Sequence, residues 1–343
     1  MTHTAEDLRA LQAKTLEEKI QISTARIIEW YESCDGQVYV SFSGGKDSTV
    51  LLDLVRRIYP DVPAVFIDTG LEYPELREFV RTIQNVTWLK PEMNFRKVIE
   101  KYGYPLISKY VAEKIYFARK GGSALKRFDD DSEYNKKYGC RYSVSRWTWL
   151  KDSNMPISHK CCTEMKKKPA KKYEKETGNK AIVGTMACES QARKTAWLKN
   201  GCNAFDSKRP ISQPISFWTE QDVLRYIKEF NIHYASVYGE IKQGENGKYY
   251  TTGYNRTGCV FCGFGCHLEK EPNRFQKLAQ THPQLYDYCM RGGKYDEYGK
   301  WVPDKGLGMA KVLDFINVKW WNDGDEAKRD EYRAKYKEKE LNK

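Results

Sequence analysis

Apolar residues recur at helical spacing among charges from about Ala5 to Tyr31, at Leu8, Leu11, Leu16, Ile20, Ile22, Ile27 and Ile28. That spacing predicts one amphipathic helix. The pattern then changes to the short, β-rich run Val38-Tyr39-Val40-Ser41-Phe42, bounded by Gly36. This predicts a strand. Ser43-Gly44-Gly45-Lys46-Asp47-Ser48 forms a glycine turn, and Leu51, Leu52, Leu54, Val55 and Ile58 give a helical face that Pro60 stops. A second strand, Ala64-Val65-Phe66-Ile67, runs into the turn Asp68-Thr69-Gly70. Pro74 opens a helix through Leu76, Phe79 and Val80, and Val86-Thr87-Trp88-Leu89 is a third strand. Strand and helix alternate, so the pattern predicts an α/β fold with a doubly wound, mostly parallel sheet.

The middle is less regular. Arg119 to Pro156 is rich in Lys, Arg, Tyr, Trp and Asp and reads as an insertion beside the sheet. Lys160 to Lys180 is lysine-dense and predicted helical, and Ala181-Ile182-Val183-Gly184 is a further strand with its turn. Thr219 is placed to cap a helix through Val223, Leu224 and Ile227. The tail after Gly324 reads as a charged, solvated helix with little core. The expected organisation is an N-terminal helix over 1–34, an α/β domain over 35–240 with an insertion at 119–156, and a cysteine-bearing, basic helical region over 241–343.

Composition narrows the classes. Of 343 residues, 40% are hydrophobic and 30% charged, which suits a folded soluble enzyme rather than a disordered chain. No long uncharged apolar run argues for a membrane span, and no apolar stretch follows Met1 as a secretory signal would require. Ten unevenly spread cysteines are then expected as reduced thiols or metal ligands in a cytoplasmic protein. Lys plus Arg exceed Asp plus Glu by 58 to 46, a net charge of +12, which points to an anionic partner. No Ser/His/Asp set and no HExxH motif appears, so a hydrolase triad or zincin is not expected.

The glycine turn is the chief candidate site. A strand, a Gly-rich turn and a helix make an anion site, because glycines admit close approach and the new helix presents free N–H groups and its positive dipole end. Lys46 adds charge, Ser43 and Ser48 add hydroxyls, and Asp47 would orient the loop or hold Mg²⁺. The turn is not a Walker A loop: Val40 stands where that motif needs Gly, and Asp47 where it needs Ser or Thr. A second chemistry is carried by thiols. Cys161-Cys162 are adjacent, and Cys259 and Cys262 form a C-x-x-C, so two pairs could complete four ligands to a metal or cluster. Zinc and free thiols are the alternatives. Adjacent cysteines suit different irons of a cube better than one tetrahedral zinc.

Ser43 to Ser48 resembles the pyrophosphate loop of the adenine-nucleotide α-hydrolase (PP-loop ATP pyrophosphatase) superfamily. The resemblance implies that the loop holds the outer phosphates of ATP while the α-phosphate is attacked. Val65 to Gly70, with Glu72, Pro74 and Glu75, is similar to the phosphoadenosine-phosphosulfate (PAPS) reductase family. So are Ile182-Val183-Gly184 with Ser190 and Arg193, Pro214 through Val223, and Tyr234, Tyr238 and Gly253-Tyr254 leading to Gly258-Cys259. Met186 departs from a commonly basic position. The likeness spans about Val38 to Cys266. It implies nucleotide contacts from Ser43, Gly44, Gly45, Lys46, Asp47, Ser48, Asp68, Thr69, Gly70, Gly184, Ser190 and Arg193, with Lys46 and Asp47 in the chemistry. It also implies a [4Fe-4S] cluster on Cys161, Cys162, Cys259 and Cys262. Cys266, followed by His267, would replace a ligand, carry sulfur as a catalytic thiol, or sit buried beside the cluster.

Two departures from the reductases shape the functional expectation. Their loop is generally degenerate, whereas this chain keeps Gly44, Gly45 and Lys46, which suits ATP and Mg²⁺. They also use a nucleophilic cysteine on a C-terminal tail, whereas the last cysteine here is Cys289. The expectation is therefore an ATP-dependent adenylating enzyme that releases pyrophosphate and transfers sulfur. The alternatives are a genuine PAPS or adenylyl-sulfate reductase, and a non-catalytic nucleotide- or nucleic-acid-binding protein with a structural cluster. Expected partners are an adenine nucleotide, a sulfur-donor protein and a nucleic-acid acceptor, with no membrane, and oligomerisation is left open. The acceptor would lie on Lys166, Lys167, Lys168, Lys171, Lys172 and Lys175, with Arg141, Arg146, Trp147 and Trp149.

Overall fold

The computed structural model describes residues 3–139 and 143–341, so Cys140 and Arg141 of the expected basic surface lie outside the described residues. The chain sorts into two compact units. The first is Met1–Pro91 with Lys168–Gly258, and the second is Glu92–Lys167 with Cys259–Lys343. The segment 119–156, expected as an insertion beside the sheet, is built into the second unit.

The first unit contains the sheet. Its strands are β1 Val38–Ser41, β2 Ala64–Ile67, β3 Val86–Leu89, β4 Lys180–Val183, β5 Asn203–Ala204 and β6 Ile211–Ser212. They lie in the order β3-β2-β1-β4-β6-β5. All pairings are parallel except that of β5 with β6, and Val40 sits between Ala64 and Ile182. The predicted α/β class with a mostly parallel sheet is what the structure has. Strand order reverses direction between β1 and β4. In such sheets the crevice for a ligand opens there, at the carboxyl ends of the strands.

The helices of this unit are α1 Ala5–Ala13, α2 Leu16–Ser33, α3 Lys46–Ile58, α4 Pro74–Thr82, α5 Lys168–Thr177, α6 Gln191–Asn200 and α7 Glu220–Glu229. The single N-terminal helix expected from periodicity is two helices. Thr15 caps α2 reciprocally with Glu18, which starts a new helix inside a continuous apolar pattern. Val38, Tyr39 and Val40 are all buried, so both faces of β1 are covered. On one face Tyr39 packs with Val65 and Ala181 against Tyr173 of α5, and its hydroxyl donates to Glu174. Elsewhere in the unit, Trp218 donates to Ser23 of α2 at 2.9 Å, and Lys19 of α2 forms a 2.7 Å ion pair with Asp222 of α7.

The second unit is mostly helical. It includes the helices Lys109–Ala118, Glu133–Tyr138, Arg274–Thr281, Pro283–Met290, Met309–Phe315 and Glu326–Leu341. Leu106–Ile107 and Gly263–Phe264 form a short parallel pair. Tyr104, Phe275, Leu278 and Trp320 are fully buried, and the Tyr104 hydroxyl donates to the Leu307 carbonyl. The tail helix departs from expectation. Tyr332 and Tyr336 are buried, Tyr332 donates to Asp287, and Arg333 pairs with Asp314, so this helix contributes core despite its charge.

Lys19 and Asp222 are both nearly inaccessible, with side chains 3% and 12% exposed. Removing one charge strands the other. Lys19→Met is expected to cost about 3–5 kcal/mol of unfolding free energy in urea titrations. A denaturation midpoint equal to that of the parent would contradict that assignment.

Candidate functional site

The candidate nucleotide site grows from the junction of β1 and α3. Gly44 takes φ +74°, and a Cβ there would meet Val80 at 2.8 Å and the Leu76 carbonyl at 3.2 Å. Only glycine lets the loop turn this tightly against α4. Gly184, at the end of β4, leaves 3.1 Å between a notional Cβ and the Asp47 carbonyl. The first turn of α3 is thus pressed against the end of the neighbouring strand. Ser48 holds the loop closed: its hydroxyl accepts from the Ser43 amide at 3.2 Å and donates to the Gly45 carbonyl at 2.8 Å. Ser43 in turn accepts from the Gly45 amide. The first-turn amides of a helix have no partner within it, and those of α3 follow directly on the two glycines of the loop.

Lys46 is buried and engaged. Its Nζ lies 2.9 Å from Glu220 Oε1 and donates to the Asn255 carbonyl, and its amide donates to the Tyr238 hydroxyl. Asp47 is different. Its Oδ1 is buried without a hydrogen-bond partner among the described residues. Burial pushes the Asp47 carboxyl up, while Lys46, Arg256 and Arg193 pull it down and Glu220 raises it further. A buried carboxylate oxygen without a donor is a hard oxygen ligand of the kind Mg²⁺ takes.

The other predicted residues divide. Asp68 pairs with Arg77 at 2.7 Å and accepts from the Gly70 amide, and Thr69 hydrogen-bonds Glu72, so this turn is fastened mainly to itself. Ser190 caps α6 by accepting from the Arg193 amide. Arg193 pairs with Glu189, and so does Arg256. Electrostatic coupling of Asp47 to Arg193, Arg256, Lys46 and Glu220 ties these groups into one charged cluster. Sequence reasoning missed Glu189, Asn255 and Arg256 as site residues and saw Glu220 and Tyr238 only within the resemblance. Lys46 meets Asn255 across 209 residues, and no local pattern encodes that contact.

The four cysteines predicted as cluster ligands all lie in the second unit. Cys161 Sγ donates to Cys162 Sγ across 4.0 Å, and Cys259 and Cys262 both act electrostatically on Cys161. The hydrogen bond from Cys161, with Lys109, Lys166 and Lys167, pulls the ionisation of Cys162 down, and the same bond pushes Cys161 up. Burial pushes Cys262 up to about 11 and Cys266 up to about 12. Cys266 is buried and donates to the Gly263 carbonyl at 3.1 Å, so here it is a protonated thiol. Among the described residues no three His, Cys, Asp or Glu side chains converge on one ion. The donor set is four thiols within mutual electrostatic reach, which fits an iron–sulfur cluster by ligand chemistry.

The lysine stretch is helical as expected, a π turn Thr163–Lys167 running directly into α5. Lys166 and Lys167 end the second unit, whereas Lys168, Lys171, Lys172 and Lys175 lie on α5 of the first, and all six are exposed. Arg146 stacks over Trp147, whose ring meets His267, and Trp149 is 47% exposed.

Glu189 is 11% exposed and holds two guanidiniums that an incoming phosphate would need. Glu189→Gln is expected to tighten pyrophosphate binding, read by calorimetry, roughly three- to tenfold, the worth of one partly exposed ion pair. Equal or weaker binding would show that these arginines do not meet the anion.

Residues 37–263 match the phosphoadenosine phosphosulfate reductase domain family. An uncharacterized protein of Methanocaldococcus jannaschii is 26% identical over 318 residues, covering 87% of this chain, which spans 61% of that protein's length. The adenosine 5'-phosphosulfate reductase of Lysinibacillus sphaericus is 25% identical over 69% of this chain and 78% of its own, and that of Anoxybacillus flavithermus 24% identical over 76% and 88%. A crystal structure of phosphoadenylyl-sulfate (PAPS) reductase from Candida auris, in a phosphate complex, aligns with a TM-score of 0.37 at 18% identity over 69% of this chain and 91% of that one. With about two thirds of its length matched and the glycine loop at the sheet's reversal point, the chain belongs to the phosphoadenosine phosphosulfate reductase domain family.

Proposed function

We propose that this chain binds ATP at the β1–α3 loop, adenylates an acceptor with release of pyrophosphate, and takes part in sulfur transfer. The observation that carries the reading is the intact loop from Ser43 to Ser48, with Gly44 at positive φ, at the point where strand order reverses. Its role is electrostatic. Amides at the start of α3 and the Lys46 ammonium would neutralise the outer phosphates and leave the innermost phosphorus open to attack. Binding requires Lys46 to exchange Glu220 for phosphate, and Arg193 and Arg256 to share Glu189 with it or release it. Asp47 would hold Mg²⁺ through its orphaned Oδ1, and the ion would add charge neutralisation at the phosphates. Asp68, Thr69 and Gly70 would border the adenosine, with Gly184 and Ser190 keeping the opposite wall in place.

Cys161, Cys162, Cys259 and Cys262 are the proposed ligands of a [4Fe-4S] cluster, which would supply redox or sulfur-handling chemistry when bound. Lys109, Lys166 and Lys167 favour thiolate formation at Cys162 before any metal arrives. Such chemistry suits a reducing compartment such as the cytoplasm. Among the described residues no helix is long and apolar enough to cross a membrane. A sulfur-donor protein and an anionic acceptor complete the reading.

The second reading is a reductase that forms sulfite from a sulfonucleotide, favoured by the names of the relatives in Lysinibacillus and Anoxybacillus. The two separate cleanly on anaerobically purified protein. Under the first, labelled pyrophosphate exchanges into ATP when acceptor is present, and Lys46→Met lowers the exchange roughly a hundredfold or more. Under the second, sulfite is released from PAPS or adenosine 5'-phosphosulfate with a thiol reductant and no exchange occurs. Absence of both reactions would remove both enzymatic readings.

A further inference from the structure

The second unit contains a cavity of about 430 Å³ between the helix Lys109–Ala118 and the 3₁₀ turn Ser123–Arg127. Its walls combine two aromatic rings, Phe117 and Tyr134, with three cations, Lys114, Lys126 and Arg127. Glu113 is the sole carboxylate in the lining and is paired with Lys114 at 2.9 Å. Lys126 is exposed and makes no ion pair among the described residues. The Arg127 guanidinium stacks 3.5 Å from the Tyr134 ring centre, which presents a flat, positively charged wall. Phe117 is 41% exposed, and its ring neighbours are Tyr116, edge-on, His159 and the Lys160 ammonium.

The same composition continues beyond the cavity. Residues 109–128 hold six Lys or Arg and one acidic residue, Glu113. Tyr110 is 38% exposed with Lys114 over its ring, and Tyr138 is 51% exposed with Lys137 over its ring. Exposed rings flanked by cations recur along one stretch of chain. The carboxylates that follow do not line the cavity: Asp129 accepts from the Asp131 amide, and Asp130 accepts from Ser143.

We infer that this cavity and the rings beside it bind single-stranded nucleic acid, one base entering against Phe117 while the adjoining phosphates meet Lys126, Lys114 and Arg127; Tyr134, with Arg127 on one face and the Tyr138 ring 4.6 Å away, backs the wall rather than stacking on the base. An acidic peptide would satisfy the cations and leave the exposed rings without a role. A duplex would hide the base faces that the rings need. A single strand offers both a flat π-face and a regular negative charge, the pairing that stacking platforms with basic flanks recognise. This inference does not depend on adenylation, because binding is read without ATP.

The test uses the full-length chain and a fluorescein-labelled 20-mer of thymidine, followed by anisotropy across a salt series. Expected are saturable binding at low salt, a negative slope of log affinity against log salt, and weaker binding to the same sequence as a duplex. Phe117→Ala and Lys126→Gln, both at exposed positions, should each weaken binding roughly five- to fiftyfold while leaving pyrophosphate affinity at the β1–α3 loop unchanged. A 4-thiothymidine strand should photo-crosslink to peptides containing Phe117, a readout that does not depend on variant folding. Parental affinity in both variants would overturn the inference. So would equal displacement of the strand by polyglutamate, or crosslinks confined to the first unit.

Discussion

The first turn of a buried helix leaves amides that its own ladder cannot satisfy, and in α3 those amides sit in the crevice of the sheet. Everything else in the first unit is arranged around that fact. β1 is buried on both faces and sandwiched between β2 and β4, so the loop starts from a fixed point. Gly44 lets the chain reverse against α4, and Gly184 lets β4 end against the backbone of Asp47. A side chain at Gly44 would press on the buried Val80 methyl and the Leu76 carbonyl, and one at Gly184 on the Asp47 backbone. The amides therefore have little freedom to move away, and the Lys46 amide is held by the Tyr238 hydroxyl.

Charge in the same crevice is balanced internally. Lys46 leans on Glu220, and Arg193 and Arg256 share Glu189. Three cations left bare so close together would repel each other and destabilise the fold, and each carboxylate relieves part of that repulsion. Such carboxylates also set a threshold for any anion. A weakly charged ligand cannot displace them, whereas a polyphosphate exchanges two or three weak partners for one strong one. Asp47 shares this balance, since Lys46, Arg256 and Arg193 favour its charge, but burial opposes it and one oxygen has no donor.

Much of the first unit was legible because its signals are local. The run Val38 to Phe42, the turn Ser43 to Ser48 and the helix from Pro74 each announce themselves within a few residues, and the structure has them almost where the pattern put them. The break at Lys14 and Thr15 was missed because apolar spacing continues through it, and only the reciprocal cap of Thr15 with Glu18 marks the new start. The tail helix misled for the opposite reason. Its charges dominate the composition, but Tyr332 and Tyr336 lie one turn apart on a single face and are enough to dock it. Glu189, Asn255 and Arg256 could not be read at all, since their part in the site depends on chain segments brought together only by folding.

In the second unit, position rather than identity distinguishes the thiols. Cys266 is one residue of a C-x-x-C-x-x-x-C run, and spacing alone makes it equivalent to Cys262. The fold separates them. The strand Gly263–Phe264 pairs with Leu106–Ile107, and the Gly265 amide donates to the Ile107 carbonyl. That holds Ile107 at φ +64°, a conformation costing on the order of 1–3 kcal/mol for such a residue, which only a well-determined surrounding can sustain. Arg274 then donates to the Cys262 carbonyl while fastened to Glu269. The loop is thereby anchored on both sides of its turn, and Cys266 is directed inward to a backbone carbonyl. Beside Cys162, by contrast, three lysines raise the local potential. The same residue type is thus biased in opposite directions: burial favours the protonated thiol at Cys266, whereas the hydrogen bond from Cys161, assisted by the lysines, favours the thiolate at Cys162.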